Sequence, residues 1–298
     1  MGRAPGGVRG VRLTEPTLGV LGGSGLYDLP GLEGVERLGA DTPFGPPSDQ
    51  LVIGRLGGTR LVFLPRHGRG HRLLPTEINF RANVFALKQT GVEWIVAVSA
   101  VGSLRAEIAP GHVVVPDQFI DRTRQRVSTF FGRGVVAHVQ FADPVCPSLS
   151  RVLAEAARAE GAVVHAGGTY VCMEGPQFST RAESHLYRSW GAHVIGMTNL
   201  QEAKLAREAE ICFATLALAT DYDCWNTAHG DVEIEDVLRV LAANVDLARR
   251  TVGRVAAALP ARTGCSCPTA LDHAIITDRA AIPATVRREL APLLRRHL

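Results

Sequence analysis

Two aspartates at the end of an apolar run are the strongest candidates for acid–base chemistry. Asp221 and Asp223 follow the apolar segment 211–220 and are separated by a single residue. In extended backbone, side chains two positions apart point to the same face, so the two carboxyl groups would share one space. Adjacent negative charges at the end of a buried strand are unfavourable unless one carboxyl stays protonated or donors surround them. The pattern therefore predicts a group that can deliver a proton.

Two turns that follow apolar runs are candidates for binding an anion. Gly23-Ser24-Gly25 lets backbone N–H groups approach a ligand, and Ser24 adds a hydroxyl donor. In the segment 65–71, the planar guanidinium of Arg66 suits phosphate oxygens and His67 stands next to it. The four cationic or titratable side chains of this segment would repel one another unless an anion lies among them. A structural glycine turn and a solvated basic loop are the alternative interpretations.

Two further segments carry small polar or aromatic residues where an apolar strand ends. Ser99 and Ala100 stand where α/β sheets present amides and hydroxyls to ligands, although a plain strand-to-turn transition would look similar. Phe178 next to Ser179 predicts a place where a flat base stacks and its edge is hydrogen-bonded. The alternative for this segment is a helix N-cap formed by Ser179 or Thr180.

Composition and charge argue against several classes of protein. The chain has 298 residues, of which 46% are hydrophobic, and its net charge of +3 is too weak and scattered to indicate a nucleic-acid partner. No apolar run approaches the roughly 18 residues that a membrane span requires, so no membrane partner is expected. Residues 1–16 lack the apolar core of a signal peptide and are interpreted as a flexible tail, which favours a cytoplasmic location.

The six cysteines do not by themselves predict a metal site. Only Cys265 and Cys267 are close in sequence, and their C-x-C spacing differs from the C-x-x-C spacing of zinc sites. We interpret most of the cysteines as small core residues, with a disulfide at the C-x-C pair as the alternative. Signatures of serine hydrolases, zinc proteases and zinc deaminases are missing from the sequence, so neither a metal nor a cofactor is expected.

The elements that would position these residues alternate between strands and helices. The predicted strands are the apolar runs 18–22, 51–56, 60–65, 94–100, 112–116, 168–173, 193–197 and 211–220. The predicted helices are the amphipathic stretches 79–89, 148–160, 181–190, 202–210 and 234–259. This alternation predicts an α/β fold, a single domain with a central mixed β-sheet flanked by helices. We expect the domain to span 17–260 and residues 261–298 to form a C-terminal appendage.

Taken in order, the motifs resemble the trimeric purine nucleoside phosphorylases, and most closely their 5'-methylthioadenosine phosphorylase branch. The resemblance covers residues 18–259 and is carried by Gly22-Gly-Ser-Gly-Leu26, Thr42-Pro-Phe-Gly45, Arg66-His-Gly68, Gly102-Ser-Leu104, Asp117-Gln-Phe-Ile-Asp-Arg-Thr123, Glu174-Gly-Pro176, Arg181-Ala-Glu-Ser184 and Thr220-Asp-Tyr-Asp-Cys-Trp225. The complete set is specific, whereas most of its segments are not specific alone. Residues 265–278 resemble the C-terminal extension of hexameric members.

The resemblance implies a role for particular residues. Phosphate is expected among Ser24, Arg66, His67, Ser99, Ala100 and Thr198. Met197 is expected against the ribose, and the purine is expected among Phe178, Ser179, Asp221 and Asp223. The 5'-methylthio pocket is expected to consist of Val232, Ile234 and Leu238 together with His138 from a neighbouring subunit. The three apolar residues are equally well interpreted as ordinary core of the long helix.

The resemblance also implies a reaction in which phosphate is the co-substrate. Phosphate attacks the ribose, so neither a protein nucleophile nor a cofactor is needed, and its negative charge stabilises the cationic sugar. Asp221 is expected to protonate N7 of the purine, with Asp223, Arg66 and His67 as the other catalytic residues. Because a carboxylate can accept from a 6-amino group, Asp221 favours adenine over 6-oxopurines.

The implied activity is phosphorolysis of 5'-methylthioadenosine to adenine and 5-methylthioribose 1-phosphate, as in purine and methionine salvage. The implied assembly is a homo-oligomer, either a trimer or a dimer of trimers. The nearest alternative is a phosphorylase of the same fold that acts on inosine, guanosine or methylthioinosine. A nucleoside-binding protein without catalysis and a hydrolase that uses water are the alternatives from other classes.

Overall fold

The computed structural model describes residues 15–23, 25–26, 29–226 and 234–298, without the side chains of 234–239 and 241–243. Within these residues, eleven strands form one mixed sheet. The strands are β1 (Thr17–Gly22), β2 (Glu33–Leu38), β3 (Leu51–Leu56), β4 (Thr59–Pro65), β5 (Trp94–Ser103), β6 (Val113–Val115), β7 (Gln118–Arg122), β8 (Val164–Ala166), β9 (Thr169–Met173), β10 (Val194–Gly196) and β11 (Cys212–Asp221). The eight predicted strands are all present, which confirms the α/β class with a central sheet.

The helices that flank the sheet are α1 (Phe80–Gln89), α2 (Pro147–Ala159), α3 (Arg181–Ser189), α4 (Leu200–Glu208), α5 (Ile234–Ala257), α6 (Ala284–Glu289) and α7 (Ala291–Leu294). The first five lie within two residues of their predicted bounds. Asn79 caps α1 by accepting from the N–H of Ala82, and Thr180 forms a capping box with Glu183 at the start of α3. The N-cap alternative for the Phe178–Ser179 segment is therefore correct for Thr180.

Three strands were not predicted, and each departs from the apolar pattern of a buried strand. Every residue of β2 is exposed, because this strand lies at the edge of the sheet and pairs only with β3. Strand β7 lies at the other end of the strand order, beyond β9, and has no buried residue, and β8 has only three residues. Edge strands carry charged residues and do not need an apolar face, so hydrophobic runs do not reveal them.

Helices cover both faces of the sheet and bury two large apolar clusters. On one face, α1 and α4 pack with α6 and α7, whose residues Val286, Leu293 and Leu294 join the same cluster as Leu87 and Leu205. The other face is covered by α2 and α5. The segment after residue 260 therefore packs on the main core, and the division at 260 stays a prediction. None of the helices in the described ranges is long and apolar enough to cross a membrane.

The centre of the sheet forks along β5. Strand β1 runs parallel to β5 only as far as Ala97, and β10 runs antiparallel to β5 only at Gly102 and Ser103. On that side, residues 98–101 of β5 lie between the end of one partner and the start of the other. Strand β11 pairs with the opposite side of β5 along its length. Such a fork leaves polar backbone groups open to a ligand at the carboxyl ends of the strands.

Candidate active site

The carboxyl pair lies where β11 ends beside the fork. Asp221 is the last residue of β11 and is in register with Gly102 of β5, after a bulge at Thr220. A side chain at Gly102 would place its Cβ 3.0 Å from Asp221 Oδ1 and 3.3 Å from Asp223 Cβ. Both aspartates therefore pack directly against this glycine, and only the lack of a side chain there makes room for them.

The two carboxyl groups come together by a different route from the one that the sequence predicted. Asp223 is not in extended backbone but begins a 3-10 turn (Asp223–Trp225) and has a φ of 49°. Its N–H donates to Asp221 Oδ1 at 2.7 Å, while the Thr220 hydroxyl donates to Asp221 Oδ2 at 2.7 Å. The prediction that the pair shares one space because of strand geometry was wrong. The turn, held by the Asp221 carboxylate, is what brings Asp223 beside it.

Asp223 carries a buried oxygen without a protein partner. The residue is 4% exposed, and its Oδ2 accepts no hydrogen bond from the part of the chain that the structure describes. Burial raises the pKa of Asp223, the neighbouring Ser184 hydroxyl lowers it, and the charge of Asp221 raises it. The hydroxyl of Ser184 is itself buried and forms no hydrogen bond of normal geometry within the described residues, so Asp223 Oδ2 stays open to a ligand. Burial also raises the pKa of Asp221, against the two hydrogen bonds that it accepts. The pair therefore holds a proton more readily than free carboxylates do, as a proton donor requires.

Arg66 lies at the fork but is already extensively paired. Its Nε and Nη2 donate to the two carboxylate oxygens of Glu202 at 2.7 and 3.0 Å. Its Nη1 donates to the carbonyl of Val98 at 2.6 Å, and Nη2 also donates to the carbonyl of Leu21 at 3.2 Å. A guanidinium has five N–H groups, so these four bonds leave one on Nη1 for a ligand. Glu202 was missed from the sequence because a buried acid on a helix shows no pattern of its own.

The basic loop after β4 does not need an external anion to balance its charges. Asp49 accepts from Arg69 Nη2 at 2.8 Å, and this hydrogen bond lowers the pKa of Asp49 to about 2. Glu202 neutralises Arg66, and the rings of His67 and His71 are stacked with their centroids 4.2 Å apart. The sequence argument from mutual repulsion was therefore wrong, because carboxylates distant in sequence supply the compensation.

His67 is a neutral imidazole with a defined tautomer. Burial lowers its pKa to about 4, and its Nδ1 lies 2.9 Å from the carbonyl oxygen of Leu73. Because a carbonyl can only accept, Nδ1 carries the proton and Nε2 carries a lone pair. His67 can therefore accept a hydrogen bond from a protonated ligand oxygen, or take up that proton.

Ser99, Ala100 and Thr198, which were predicted around phosphate, lie on β5 and on the chain that follows β10. The pairing of β10 with β5 ends at Ile195, but Gly196 still lies beside Val101, since a Cβ at Gly196 would be 3.3 Å from the Val101 side chain, and Met197 and Thr198 follow directly. Ser99 is 6% exposed and its Oγ lies 3.3 Å from the hydroxyl of the fully buried Tyr170. Thr198 is 4% exposed. Ser99 and Ala100 therefore lie within the fork, directly after the Val98 carbonyl that accepts from Arg66. That Thr198 joins them around phosphate and that Met197 contacts the ribose stay predictions.

The purine-side segment is tied to the ribose side by Arg126, which the sequence did not single out. The side chain of Arg126 is 1% exposed, and it donates to the carbonyls of Met197 and Glu174, each at 2.5 Å. Ser179 Oγ lies 3.6 Å from Met173 Sδ. Phe178 is 45% exposed, so its ring is free on this chain to cover a ligand.

Some predicted residues lie elsewhere or outside the described part. His138 is exposed and its N–H donates to the carbonyl of Ala274, far along the chain from the carboxyl pair. Its contribution from a neighbouring subunit stays a prediction. Ser24 and Val232 lie outside the described residues, as do the side chains of Ile234 and Leu238. Their predicted contacts with phosphate and with the 5' group also stay predictions.

Two surface cavities share no residue with the strand-end site. One of about 560 Å³ is lined by α2 and by residues 115–118, with Arg151, Glu155 and Arg158 among its walls. The other, of about 240 Å³, lies between His138 and His273. Neither contains the buried, partner-lacking carboxyl that marks the fork, so we assign the chemistry to the fork.

The chain is similar to phosphorylases along nearly its whole length. The family model of the phosphorylase superfamily matches residues 17–257. The chain belongs to the phosphorylase superfamily. It is 59% identical to the S-methyl-5'-thioadenosine phosphorylase of Geobacter sulfurreducens, over 93% of this chain and 97% of that protein. It is 56% identical to the enzyme of the same name from Koribacter versatilis, over 93% of this chain and 94% of the relative.

Solved structures of this superfamily agree with the fold. A methylthioadenosine phosphorylase from an antarctic soil metagenomic library superposes with a TM-score of 0.89 at 47% identity, covering 94% of this chain and 100% of that one. The methylthioadenosine phosphorylase of Schistosoma mansoni in complex with adenine gives a TM-score of 0.80 at 34% identity, covering 94% and 98%. The resemblance seen in the sequence is therefore confirmed at the level of family and fold.

Proposed function

We propose that this phosphorylase cleaves 5'-methylthioadenosine with inorganic phosphate to give adenine and 5-methylthioribose 1-phosphate. The observation that carries the proposal is the buried carboxyl pair, in which Asp223 Oδ2 accepts no hydrogen bond from the described residues. Adenine offers a 6-amino donor and the N7 acceptor on one edge, so it can satisfy one carboxylate oxygen and take a proton from the other carboxyl. Relatives at 53–59% identity that carry the methylthioadenosine phosphorylase name support the same substrate.

The reaction follows from the charges that bond cleavage creates. Breaking the bond between C1' and N9 leaves positive charge on the ribose and negative charge on the purine. Asp221, whose pKa is raised by burial, acts as the acid that neutralises the purine at N7. The adjacent 6-amino group, on the same edge of the purine, donates to the Asp221 carboxylate and to Asp223 Oδ2. A 6-oxopurine offers no donor at that position and would leave a buried carboxylate oxygen unpaired, which disfavours it.

Phosphate is proposed to bind between β4 and the fork, in contact with Arg66 Nη1 and the Ser99 hydroxyl. Nε2 of His67 then accepts the proton of a phosphate oxygen, since Nδ1 is committed to Leu73. Ser24 and Thr198 complete the proposed set. The 5'-methylthio group is proposed to lie against the start of α5 and His138 of a neighbouring subunit.

The assembly and location form part of the proposal. A homo-oligomer, a trimer or a dimer of trimers, is proposed because the family resemblance gives His138 to the site of a neighbouring subunit, and His138 is exposed on this chain. Light scattering that gives a monomer in active solutions would contradict this. A cytoplasmic location is supported by the six free cysteines, since thiols persist in reducing compartments.

A product assay tests the activity. Adenine release from 5'-methylthioadenosine is measured by chromatography with and without phosphate, beside inosine at equal concentration. We expect release only with phosphate, together with a phosphorylated sugar, and a larger kcat/KM than for inosine. Release without phosphate would show a hydrolase, a larger kcat/KM for inosine would refute the substrate, and ligand binding without release would refute catalysis.

A further inference from the structure

Four cysteines that are scattered in the sequence converge at the amino-terminal end of β11, the end opposite Asp221. The sulfur atoms of Cys146, Cys212, Cys265 and Cys267, here called the cysteine cluster, all lie within 4.8 Å of one another. Cys146 is the N-cap of α2, Cys212 begins β11, and the other two flank Ser266 after α5. The C-x-C spacing alone does not predict this arrangement, because Cys146 and Cys212 are distant in sequence and come close to the C-x-C pair only in the folded chain.

The spacing of the sulfurs matches a tetrahedral tetrathiolate. A Zn²⁺ ion with four sulfurs at about 2.3 Å places those sulfurs about 3.8 Å from one another. Cys212 Sγ and Cys265 Sγ are 3.5 Å apart, and all six cysteines of the chain are free. The cluster therefore needs only small adjustments to surround an ion, and none of its sulfurs is consumed by a disulfide.

The neighbours of the cluster supply donors that a thiolate would satisfy. Arg262 interacts electrostatically with Cys212, and its Nε–H is buried without a hydrogen-bond partner. Trp94 is in register with Cys212 across the β5–β11 pair, and its indole N–H is likewise buried and without a partner. Metal-bound thiolates accept N–H hydrogen bonds from residues behind them. The charge of Arg262 is already paired with Glu93, since its Nη1 donates to Glu93 Oε1 at 2.8 Å, so what Arg262 offers the cluster is its Nε–H.

Burial and access also suit a structural metal. Three of the four cysteines are buried and Cys265 is partly exposed, which gives an ion a way in. An ion bound there would link the start of α2, the start of β11 and the C-terminal segment that carries Cys265 and Cys267. We propose that the cysteine cluster binds one Zn²⁺ per chain and fastens residues 265–267 to the main core.

The role inferred is structural and separate from the reaction. Cys212 and Asp221 stand at opposite ends of the ten-residue strand β11, which places them about 30 Å apart. Loss of the ion should therefore lower the free energy of unfolding without changing proton transfer by the carboxyl pair. Because the two sites are separate, a result against the metal site would leave the proposed function unaffected, and a result against the proposed function would leave the metal site unaffected.

Metal analysis of the full-length protein tests the proposal. Protein purified without chelators or nickel resin is analysed by inductively coupled plasma mass spectrometry, and we expect about one zinc per chain. Cys265→Ser should reduce this ratio at least fivefold, and the matched control Cys224→Ser, outside the cluster, should retain it. Reduced protein that binds no zinc after incubation with Zn²⁺, or intact masses that show disulfides in freshly purified protein, would overturn the proposal.

A second measurement does not depend on whether a variant folds. Wild-type protein depleted of zinc is loaded with Co²⁺ alone, and its visible spectrum is recorded. Tetrahedral coordination by four thiolates gives intense sulfur-to-cobalt charge-transfer and ligand-field bands. We expect these bands, and we expect added Zn²⁺ to abolish them. A spectrum of octahedral cobalt in water would refute the site even if every cysteine variant aggregated.

Discussion

Replacement of Asp221 by asparagine removes the acidic proton and keeps the shape of the side chain nearly unchanged. The amide oxygen can continue to accept from the N–H of Asp223, as Asp221 Oδ1 does at 2.7 Å. The amide nitrogen can donate to the Thr220 hydroxyl, which is free to turn its own proton to the Val101 carbonyl at 3.3 Å. Both hydrogen bonds thus survive with their directions adjusted, so we expect D221N to fold normally.

The expected loss follows from removing a positioned acid. General acid catalysis contributes about a hundredfold or more to rate, and a hundredfold loss corresponds to about 2.7 kcal/mol of transition-state stabilisation. We expect kcat/KM for methylthioadenosine to fall by about two orders of magnitude. Activity on inosine should fall much less, because an amide N–H can donate to a 6-oxo group. Burial raises the pKa of Asp221, so wild-type activity should decline as pH rises through that pKa, and D221N should lack this decline.

The assay compares initial rates of adenine and hypoxanthine release at saturating phosphate. D41N is the control, since Asp41 is an exposed aspartate in the loop between β2 and β3 and does not belong to the residues assigned to the site. D223N is run in parallel, because Asp223 Oδ2 is the oxygen without a partner. Equal losses of D221N on both nucleosides would refute the specificity argument. A large loss in D223N with an unchanged pH profile in D221N would assign the acid to Asp223.

Three other perturbations have defined outcomes. Glu202→Ala should lower the free energy of unfolding by about 3–5 kcal/mol, because it strands a buried guanidinium, whereas Arg254→Ala at an exposed pair should change it by less than about 1 kcal/mol in urea titrations. Gly102→Ala should lower kcat/KM about tenfold by displacing the carboxyl pair, and Gly39→Ala, where a Cβ meets nothing within 4 Å, should not. The His67 pKa is lowered from 6.5 to about 4, so the unfolded chain takes up its proton first and stability should fall as pH drops through that window. His67→Gln should show a smaller fall, and an equal one would contradict the assignment.

The buried part of the fold could be predicted from the sequence because its strands are apolar on both faces. All ten residues of β11 except Asp221 are buried, and all six of β1 are buried, so hydrophobic runs reveal them directly. Edge strands such as β2 depend on pairing with one neighbour and show no such signal. Helix ends were predicted closely because caps and glycines mark them, as Gly91 does after α1.

The sequence indicated candidate residues at the strand ends, but it could not indicate the electrostatics around them. Residue types at strand ends indicated Asp221, Arg66 and Ser99, because strand ends are local features. Glu202 is distant from Arg66 in sequence, and only the packing of α4 beside the fork pairs them. The left-handed turn at Asp223 was likewise hidden, because an aspartate with positive φ shows no signal that distinguishes it from one in a strand.

These electrostatics bear on how phosphate stays reactive. The two cations described near the fork, Arg66 and Arg126, are paired with Glu202 and Glu174, and His67 is neutral at physiological pH. Phosphate therefore meets one guanidinium N–H, hydroxyls and backbone dipoles, and no uncompensated positive charge among the described residues of the fork. A dianion held in this way keeps most of its negative charge for the cationic ribose, which is where the transition state needs it. A site with two free cations would bind phosphate more tightly and leave it a weaker partner for the sugar, since interactions equal in ground and transition state do not raise kcat.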